Sequence, residues 1–152
     1  MLDVAARCRR EDFTLDVSFQ APTPGVIALF GRSGAGKTTL INLLAGLLPL
    51  DQGRIALDDV TLSDRAHGID TPPEQRGVGY VFQDARLFPH LNVTGNLTYG
   101  LRRTKRSVSS TYEQVVALLG LESLVDRRPH QLSGGERQRV ALRQARHVLG
   151  HA

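Results

Sequence analysis

The sequence predicts an α/β fold built on a parallel sheet, and three features of the chain indicate it. The apolar run Val26–Phe30 ends at a glycine-rich loop, as expected of a strand that is buried on both faces. A helix with one apolar face follows this loop directly. Two further runs, Gly53–Leu57 and Val78–Phe82, have the composition of strands and are separated by a polar loop. The apolar positions of the helix are Leu40, Ile41, Leu43 and Leu44.

The remaining elements follow in chain order. Apolar and polar residues alternate from Phe13 to Phe19, which predicts a half-buried strand after a charged, turn-forming stretch. Gly46 with Pro49 ends the first helix, and Gly120 ends a second one. A third helix is predicted from Ser133 onward. The apolar positions of the second helix are Val115, Val116, Leu118 and Leu119.

Composition narrows the class of protein. The chain has 152 residues, one cysteine and a net charge of +4, so it is long enough for one domain and makes no internal disulfide. No apolar stretch reaches the about 18 residues that cross a bilayer, and the amino terminus lacks the apolar centre of a signal peptide. We therefore expect a cytosolic protein. The densest basic patch, within residues 102–106, has no interleaved aromatic residues, so no nucleic-acid partner is expected.

A glycine-rich motif carries the clearest chemistry. Residues Gly31–Thr38 match the pattern G-x-x-x-x-G-K-[ST] between a predicted strand and a helix. The glycines let backbone N–H groups turn toward a phosphate chain, and the helix adds the positive end of its dipole. Lys37 suits the outer phosphates of a nucleotide, and the Thr38 hydroxyl suits Mg²⁺. The predicted phosphate-binding residues are Gly31, Arg32, Ser33, Gly34, Ala35, Gly36, Lys37, Thr38 and Thr39.

A second motif opens the last predicted helix with Ser133, Gly134, Gly135 and Glu136. The simplest interpretation is an ordinary amino-terminal cap. However, each glycine costs a helix about 1 kcal/mol relative to alanine, so two in succession are a poor choice for stability alone. Exposed N–H groups and a serine hydroxyl instead favour a second cradle for phosphate.

Three motifs in this order resemble the ATP-binding subunits of ABC transporters. They are residues 31–39, Val81–Gln83 and Leu132–Glu136, and the resemblance spans about residues 12–142. Residues 79–90 are most similar to the subunits that serve molybdate importers. The resemblance implies a P-loop ATPase core with a parallel sheet, a small antiparallel β part and a helical subdomain. It divides the chain into a core at 1–87, a helical subdomain at 88–142 and a divergent tail at 143–152.

The resemblance also implies roles for single residues. The loop holds ATP, while Thr38 and Gln83 bind Mg²⁺, and Gln83 also contacts the attacking water. Ser133 and Gly135, with Gly134 and Glu136 beside them, meet the γ-phosphate of ATP that is held by a second subunit, in a head-to-tail dimer. The region from Gln83 to Gly100 meets membrane permease subunits, which would place the protein on the inner face of the cell membrane.

The catalytic residues of the family have no counterpart among these 152 residues. No apolar run closing in Asp-Glu follows the second motif, and no histidine stands in the family's switch position. We therefore expect ATP binding with absent or strongly impaired hydrolysis. The sequence leaves the family pattern after Leu142, which we interpret as a frameshifted tail.

Two further expectations concern the core and the base of the nucleotide. Val26–Phe30 is expected to lack strand partners, which would make the isolated chain unstable or poorly soluble. No adenine-stacking residue is evident, because Phe13 is assigned to a strand core and only Arg7 or Arg9 is left.

Two classes of function remain open. The first is the energy-coupling subunit of an importer, and the second is a nucleotide-binding or interaction remnant without catalysis. Nucleotide affinity without Mg²⁺-dependent phosphate release would separate them. An ATPase of DNA repair is less well supported, because such proteins carry long coiled-coil insertions and only a compact segment lies between Gln83 and Ser133.

Overall fold

A computed structural model describes residues 1–99 and 112–149, without the side chains of 143–149. The chain divides into two compact units, Met1–Arg76 and Gly77–Ala152, which are described separately below. The boundary that we place after residue 87 stays a prediction. In the described part, no helix is long and apolar enough to cross a membrane.

The first unit is one antiparallel sheet with one helix. The elements are β1 (Leu2–Arg10), β2 (Phe13–Ala21), α1 (Lys37–Ala45), β3 (Gln52–Leu57), β4 (Val60–Asp64) and β5 (Ile69–Asp70). The sheet has the order β2-β1-β3-β4-β5, and every pair of neighbouring strands is antiparallel. Val4 of β1 pairs with Phe19 on one side and with Ile55 on the other, and its side chain is fully buried.

The apolar face of α1 and one face of the sheet form the core of this unit. Leu40 and Leu43 of α1 are buried in it and Leu44 packs against it, as the helical spacing predicts, whereas Ile41 is exposed. The helix ends at Gly46, whose φ of 74° is the left-handed conformation that glycine adopts without strain. The sheet contributes Val4, Ala6, Cys8, Leu15, Ile55 and Leu62 to the same core.

Strand β1 corrects our treatment of the amino terminus as a turn-forming stretch. Val4, Ala6 and Cys8 are buried while Ala5, Arg7 and Arg9 are exposed, which is the period of two expected of a strand. The turn is limited to the two residues between β1 and β2, where Glu11 takes a positive φ of 41°. The alternation is present in the sequence, but the several arginines led us to predict a turn instead of a strand.

Two predicted strands of the parallel sheet do not form in the described residues. Val26–Phe30 belongs to no strand, and Val26 is 100% and Phe30 92% exposed. Val78–Phe82 likewise belongs to no strand. An apolar run becomes a buried strand only when neighbouring strands pair with its backbone, and the sheet present here offers none to either run. Val26, Ile27 and Phe30 are exposed, as expected, whereas Leu29 packs against the core of the first unit.

The second unit is helical, as expected of the region after residue 88. Its helices are α2 (Val93–Thr98), α3 (Tyr112–Leu119) and α4 (Gly134–Leu149), joined by 3₁₀ turns at Glu122–Leu124 and Pro129–Gln131. Helix α3 ends at Gly120, as predicted, with a φ of 60°. The buried core of the unit includes Leu87, Val93, Leu97, Val116, Leu121, Leu124, Leu132 and Val140.

Candidate nucleotide-binding site

The glycine-rich loop lies in the first unit and leads directly into α1. Gly34 and Gly36 have φ values of 80° and 88°, the left-handed region that glycine favours. The loop turns through a hydrogen bond from the Ala35 N–H to the Arg32 carbonyl, at 3.2 Å. Helix α1 begins at Lys37, so the N–H groups of its first turn have no carbonyl of the helix to bind. These donors are the groups that an anion would need.

An open cavity of about 310 Å³ lies at this helix end. Thr38 is exposed at the cavity, and a hydroxyl is a suitable ligand for Mg²⁺, which keeps several waters and takes its other ligands from phosphates. The described residues contain no cluster of three or more His, Cys, Asp or Glu side chains that could hold a metal ion without a nucleotide. The cavity is lined by Phe13, Ser33, Gly34, Ala35, Gly36, Lys37, Thr38 and Thr39.

The side chain of Lys37 folds back over the loop. Its Nζ donates to the carbonyl oxygens of Gly31 and Arg32, at 2.7 and 2.8 Å. These contacts hold the positive charge of the ammonium at the start of the loop, and the first turn of α1 adds the positive end of the helix dipole. The loop is therefore electropositive before any ligand arrives.

Phe13 is a residue of the cavity that the sequence analysis assigned to a strand core. It is half-buried and packs partly against the core, but its ring also lines the cavity. A Cβ placed on Gly36 would lie 2.7 Å from the Cζ of Phe13, so a larger residue there would force the ring to move, in addition to the strain of the positive φ. One feature of the sequence could have indicated that Phe13 reaches the cavity: it is the first residue of a strand and directly follows a turn.

Gln83 and the second motif lie in the other unit. Gln83 is exposed, next to a small aromatic cluster in which the rings of Tyr80 and Phe82 are 4.5 Å apart. The guanidinium of Arg86 lies 4.3 Å from the centre of the Phe82 ring, a favourable contact between a cation and a ring. The structure thus groups the predicted loop residues from Ser33 to Thr39 around one cavity of the first unit, and the role of Gln83 toward Mg²⁺ stays a prediction.

Ser133 and Glu136 form a capping box at the start of α4. The Ser133 N–H donates to the Glu136 carboxylate at 2.6 Å, and the Glu136 N–H donates to the Ser133 hydroxyl at 3.3 Å. These bonds, helped by the charges of Arg127 and Arg139, hold the pKa of Glu136 below its usual value. The ordinary cap that we weighed in the sequence is therefore present.

The two glycines of the second motif are not explained by this cap. A Cβ placed on Gly134 or Gly135 would meet no described atom within 4 Å. Both residues are exposed, so nothing in the described part of the unit requires a glycine at either position. Two costly glycines on an open helix end are consistent with the approach of another molecule.

The loop, its lysine and threonine, and the helix behind them are the architecture of P-loop nucleotide-binding proteins. Comparison with known proteins shows which family of nucleotide-binding proteins the chain belongs to. A family model described as ABC transporter matches residues 14–148. The chain therefore belongs to the ABC transporter family. The match extends six residues past Leu142, where we placed the end of the resemblance.

Individual relatives agree with this assignment. The molybdenum import ATP-binding protein ModC of Paramagnetospirillum magneticum is 53% identical over 146 residues, which are 95% of this chain and 40% of that protein. This chain thus spans about 40% of the length of the curated relatives it matches. A similar solved structure is cbiO1 from Clostridium perfringens, which is part of the ABC transporter complex cbiONQ. Its sequence is 27% identical to this chain, and the two structures superpose with a TM-score of 0.74. The match covers 97% of this chain and 61% of that one.

A dimeric ATP-binding cassette solved with ADP and phosphate shares the fold. Its TM-score is 0.71 at 24% identity, and the match covers 95% of this chain and 68% of that one. The family therefore accounts for both units, although the described residues of the first unit form only the antiparallel part of its sheet.

Proposed function

We propose that this chain is the ATP-binding, energy-coupling part of an importer of the molybdate type. The observation that carries the proposal is the loop at Gly31–Thr39, whose positive-φ glycines, cavity and lysine fit a phosphate chain. The molybdate assignment is supported by the 53% identity to a relative named as a molybdenum import protein.

ATP would bind with its phosphates against the N–H groups of the loop and of the first turn of α1. Lys37 would exchange its two carbonyl partners for the outer phosphates, because phosphate oxygens are the more strongly charged acceptors. Thr38 would hold Mg²⁺, with Gln83 as a second ligand. We propose Phe13 as the apolar contact for the nucleoside, in place of Arg7 or Arg9, since its ring lines the cavity.

The partners in this proposal are a second ATP-binding subunit and membrane permease subunits. Ser133 to Glu136 would meet the nucleotide of the second subunit, and the exposed Gly134 and Gly135 leave room for its phosphate. The permease contact would use the region from Gln83 to Gly100, of which Gly100 lies outside the described residues. These partners would hold the protein at the inner face of the membrane.

Hydrolysis of ATP is an activity of the family, and we propose that a polypeptide of these 152 residues binds ATP without hydrolysing it at an appreciable rate. No Asp-Glu pair at the end of an apolar run is present among the 152 residues to complete the metal site and act on water. The alternative function, a binding or interaction remnant, shares the predicted affinity and the absence of hydrolysis in these 152 residues. Phosphate release therefore separates the two functions only if the polypeptide hydrolyses ATP, which would favour the transporter subunit.

Isothermal titration calorimetry with Mg-ATP tests the binding proposal. Lys37→Ala should weaken binding by about tenfold or more, because it removes a charged hydrogen bond worth about 1.5–3 kcal/mol. The matched control is Lys105→Ala, which removes the only other lysine of the chain. Equal affinities in the two variants would contradict the proposal. Phosphate release at a rate typical of an active ATPase would contradict the absence of hydrolysis.

A further inference from the structure

A buried arginine at the end of the first unit has no place in the function proposed so far. The side chain of Arg76 is 0% exposed, directly after the short 3₁₀ turn Pro73–Gln75. Its Nε donates to the Thr71 carbonyl at 2.6 Å, and its Nη2 donates to the Ser63 hydroxyl and the Asp70 carboxylate at 2.8 and 3.0 Å. These bonds attach it to β4, to β5 and to the loop after them.

The same guanidinium also holds the carboxyl end of α1. Its Nη1 donates to the carbonyls of Leu43 and Leu44, at 2.9 and 3.2 Å. Gly46 leaves the space, since a Cβ there would lie 2.5 Å from the Nε of Arg76. Arg76 therefore connects three elements of the first unit and uses all three nitrogens to do so.

Stability of the helix end does not by itself require this arrangement. The Gly46 N–H already donates to the Leu43 carbonyl, and the Leu47 N–H donates to the Asn42 carbonyl, which caps α1 without the arginine. Buried ionic groups are often replaced by apolar residues at no cost in stability, because burial removes the charge from water. A guanidinium that is hydrogen-bonded on several sides fixes the positions of its partners relative to one another, which an apolar residue would not do.

We propose that Arg76 is a positioning residue that couples α1 to the segment Gly77–Gln83. The proposal rests on the proposed function, because α1 carries Lys37 and Thr38 at its amino end and Gln83 follows Arg76 by seven residues. A short helix moves as a rigid body, so a shift at its amino end displaces the carbonyls that Arg76 holds. The backbone of Arg76 continues directly into the segment that ends at Gln83.

Hydrogen exchange measured by mass spectrometry on the 152-residue chain, with and without Mg-ATP, tests this coupling. In the unaltered chain, Mg-ATP should slow exchange in residues 77–83 by about fivefold or more, the lower end of typical coupling between sites. Arg76→Lys keeps the charge but loses the fork of donors, and it should bind Mg-ATP while losing this slowing. The control is Arg54→Lys, an arginine on β3 that donates to Thr61 and is half exposed.

A second variant is needed because Arg76→Lys could also unfold the first unit. Ser63→Ala combined with Asp70→Asn weakens the Nη2 contacts and the bond from the Ser63 hydroxyl to Asp70, but it keeps the bonds of Arg76 to Thr71, Leu43 and Leu44. The slowing in residues 77–83 should decrease while the exchange of helix α3 stays unchanged. Slowing that persists in Arg76→Lys, or its absence in an unaltered chain that binds Mg-ATP, would overturn the inference alone. Absence of binding, measured separately by calorimetry, would instead contradict the proposed function.

Discussion

Gly36→Ala should destabilise the protein far more than Gly34→Ala. Both glycines have a positive φ, 88° and 80°, so both alanines bear the same conformational penalty of about 1–2 kcal/mol. The new methyl at position 34 meets nothing within 4 Å, whereas at position 36 it lies 2.7 Å from the Cζ of Phe13 and 3.0 Å from the Cδ1 of Leu15. The two variants therefore bear a similar backbone penalty and differ in this contact.

The size of the difference in unfolding free energy depends on how closely the new methyl group at position 36 approaches Phe13 and Leu15. Overpacking a core contact costs about 1–3 kcal/mol, so Gly36→Ala should lower the free energy of unfolding by about 2–5 kcal/mol and Gly34→Ala by about 1–2 kcal/mol. The loss of freedom of the unfolded chain is the same in both variants and cancels from the comparison. The measured difference should be about 1–3 kcal/mol.

Urea unfolding followed by circular dichroism measures these losses, since the chain has no tryptophan for fluorescence. A double variant identifies the cause. In a Phe13→Ala background the ring is gone and only the contact with Leu15 at 3.0 Å is left, so Gly36→Ala should cost less than it does with the ring present. Equal losses for the two single variants, or no relief from Phe13→Ala, would refute the packing of Phe13 on the loop.

Three further predictions follow from single contacts. Gly46→Ala should lower the unfolding free energy more than Gly120→Ala in the same urea assay, because both end a helix with positive φ but only the first would displace Arg76; equal losses would contradict this. Val26→Ser should reduce self-association measured by light scattering, since Val26 is 100% exposed; unchanged association would contradict it. The pKa of Glu136 is lowered in the folded chain, so its carboxylate stabilises α4 above the ordinary pKa of a glutamate, and this stabilisation is lost as the pH falls through the lowered pKa. Glu136→Gln should therefore reduce the decrease in unfolding free energy at acid pH, measured by urea unfolding at several pH values. An unchanged decrease would contradict this.

The local parts of the fold were predictable because their signals are local. The loop glycines, the helix behind them and its end at Gly46 depend on backbone conformation and an apolar stripe, both of which are visible in a few residues. The same is true of α3 with its end at Gly120. Strand β1 was predictable in principle, since Val4, Ala6 and Cys8 alternate with exposed residues, but its arginines were given too much weight.

The parts that were not predictable depend on distant partners. Val26–Phe30 has the composition of a buried strand, but pairing with other strands decides whether it becomes one. Phe13 satisfies the same alternation whether its ring faces only the core or also a cavity, and only the position of Gly36 settles this. Arg76 offered no pattern at all, because its partners Leu43, Ser63 and Asp70 are spread along the chain.

The most direct test of the account is a nuclear magnetic resonance titration of the ¹⁵N-labelled chain with Mg-ATP. The account predicts that the largest shifts occur at the backbone N–H groups of residues 33–39. At an ATP concentration near the dissociation constant of the unaltered chain, Lys37→Ala should strongly reduce these shifts while Lys105→Ala should not. Shifts spread over the surface, or concentrated on another part of the chain with residues 33–39 unchanged, would contradict the assignment of this loop as the nucleotide site.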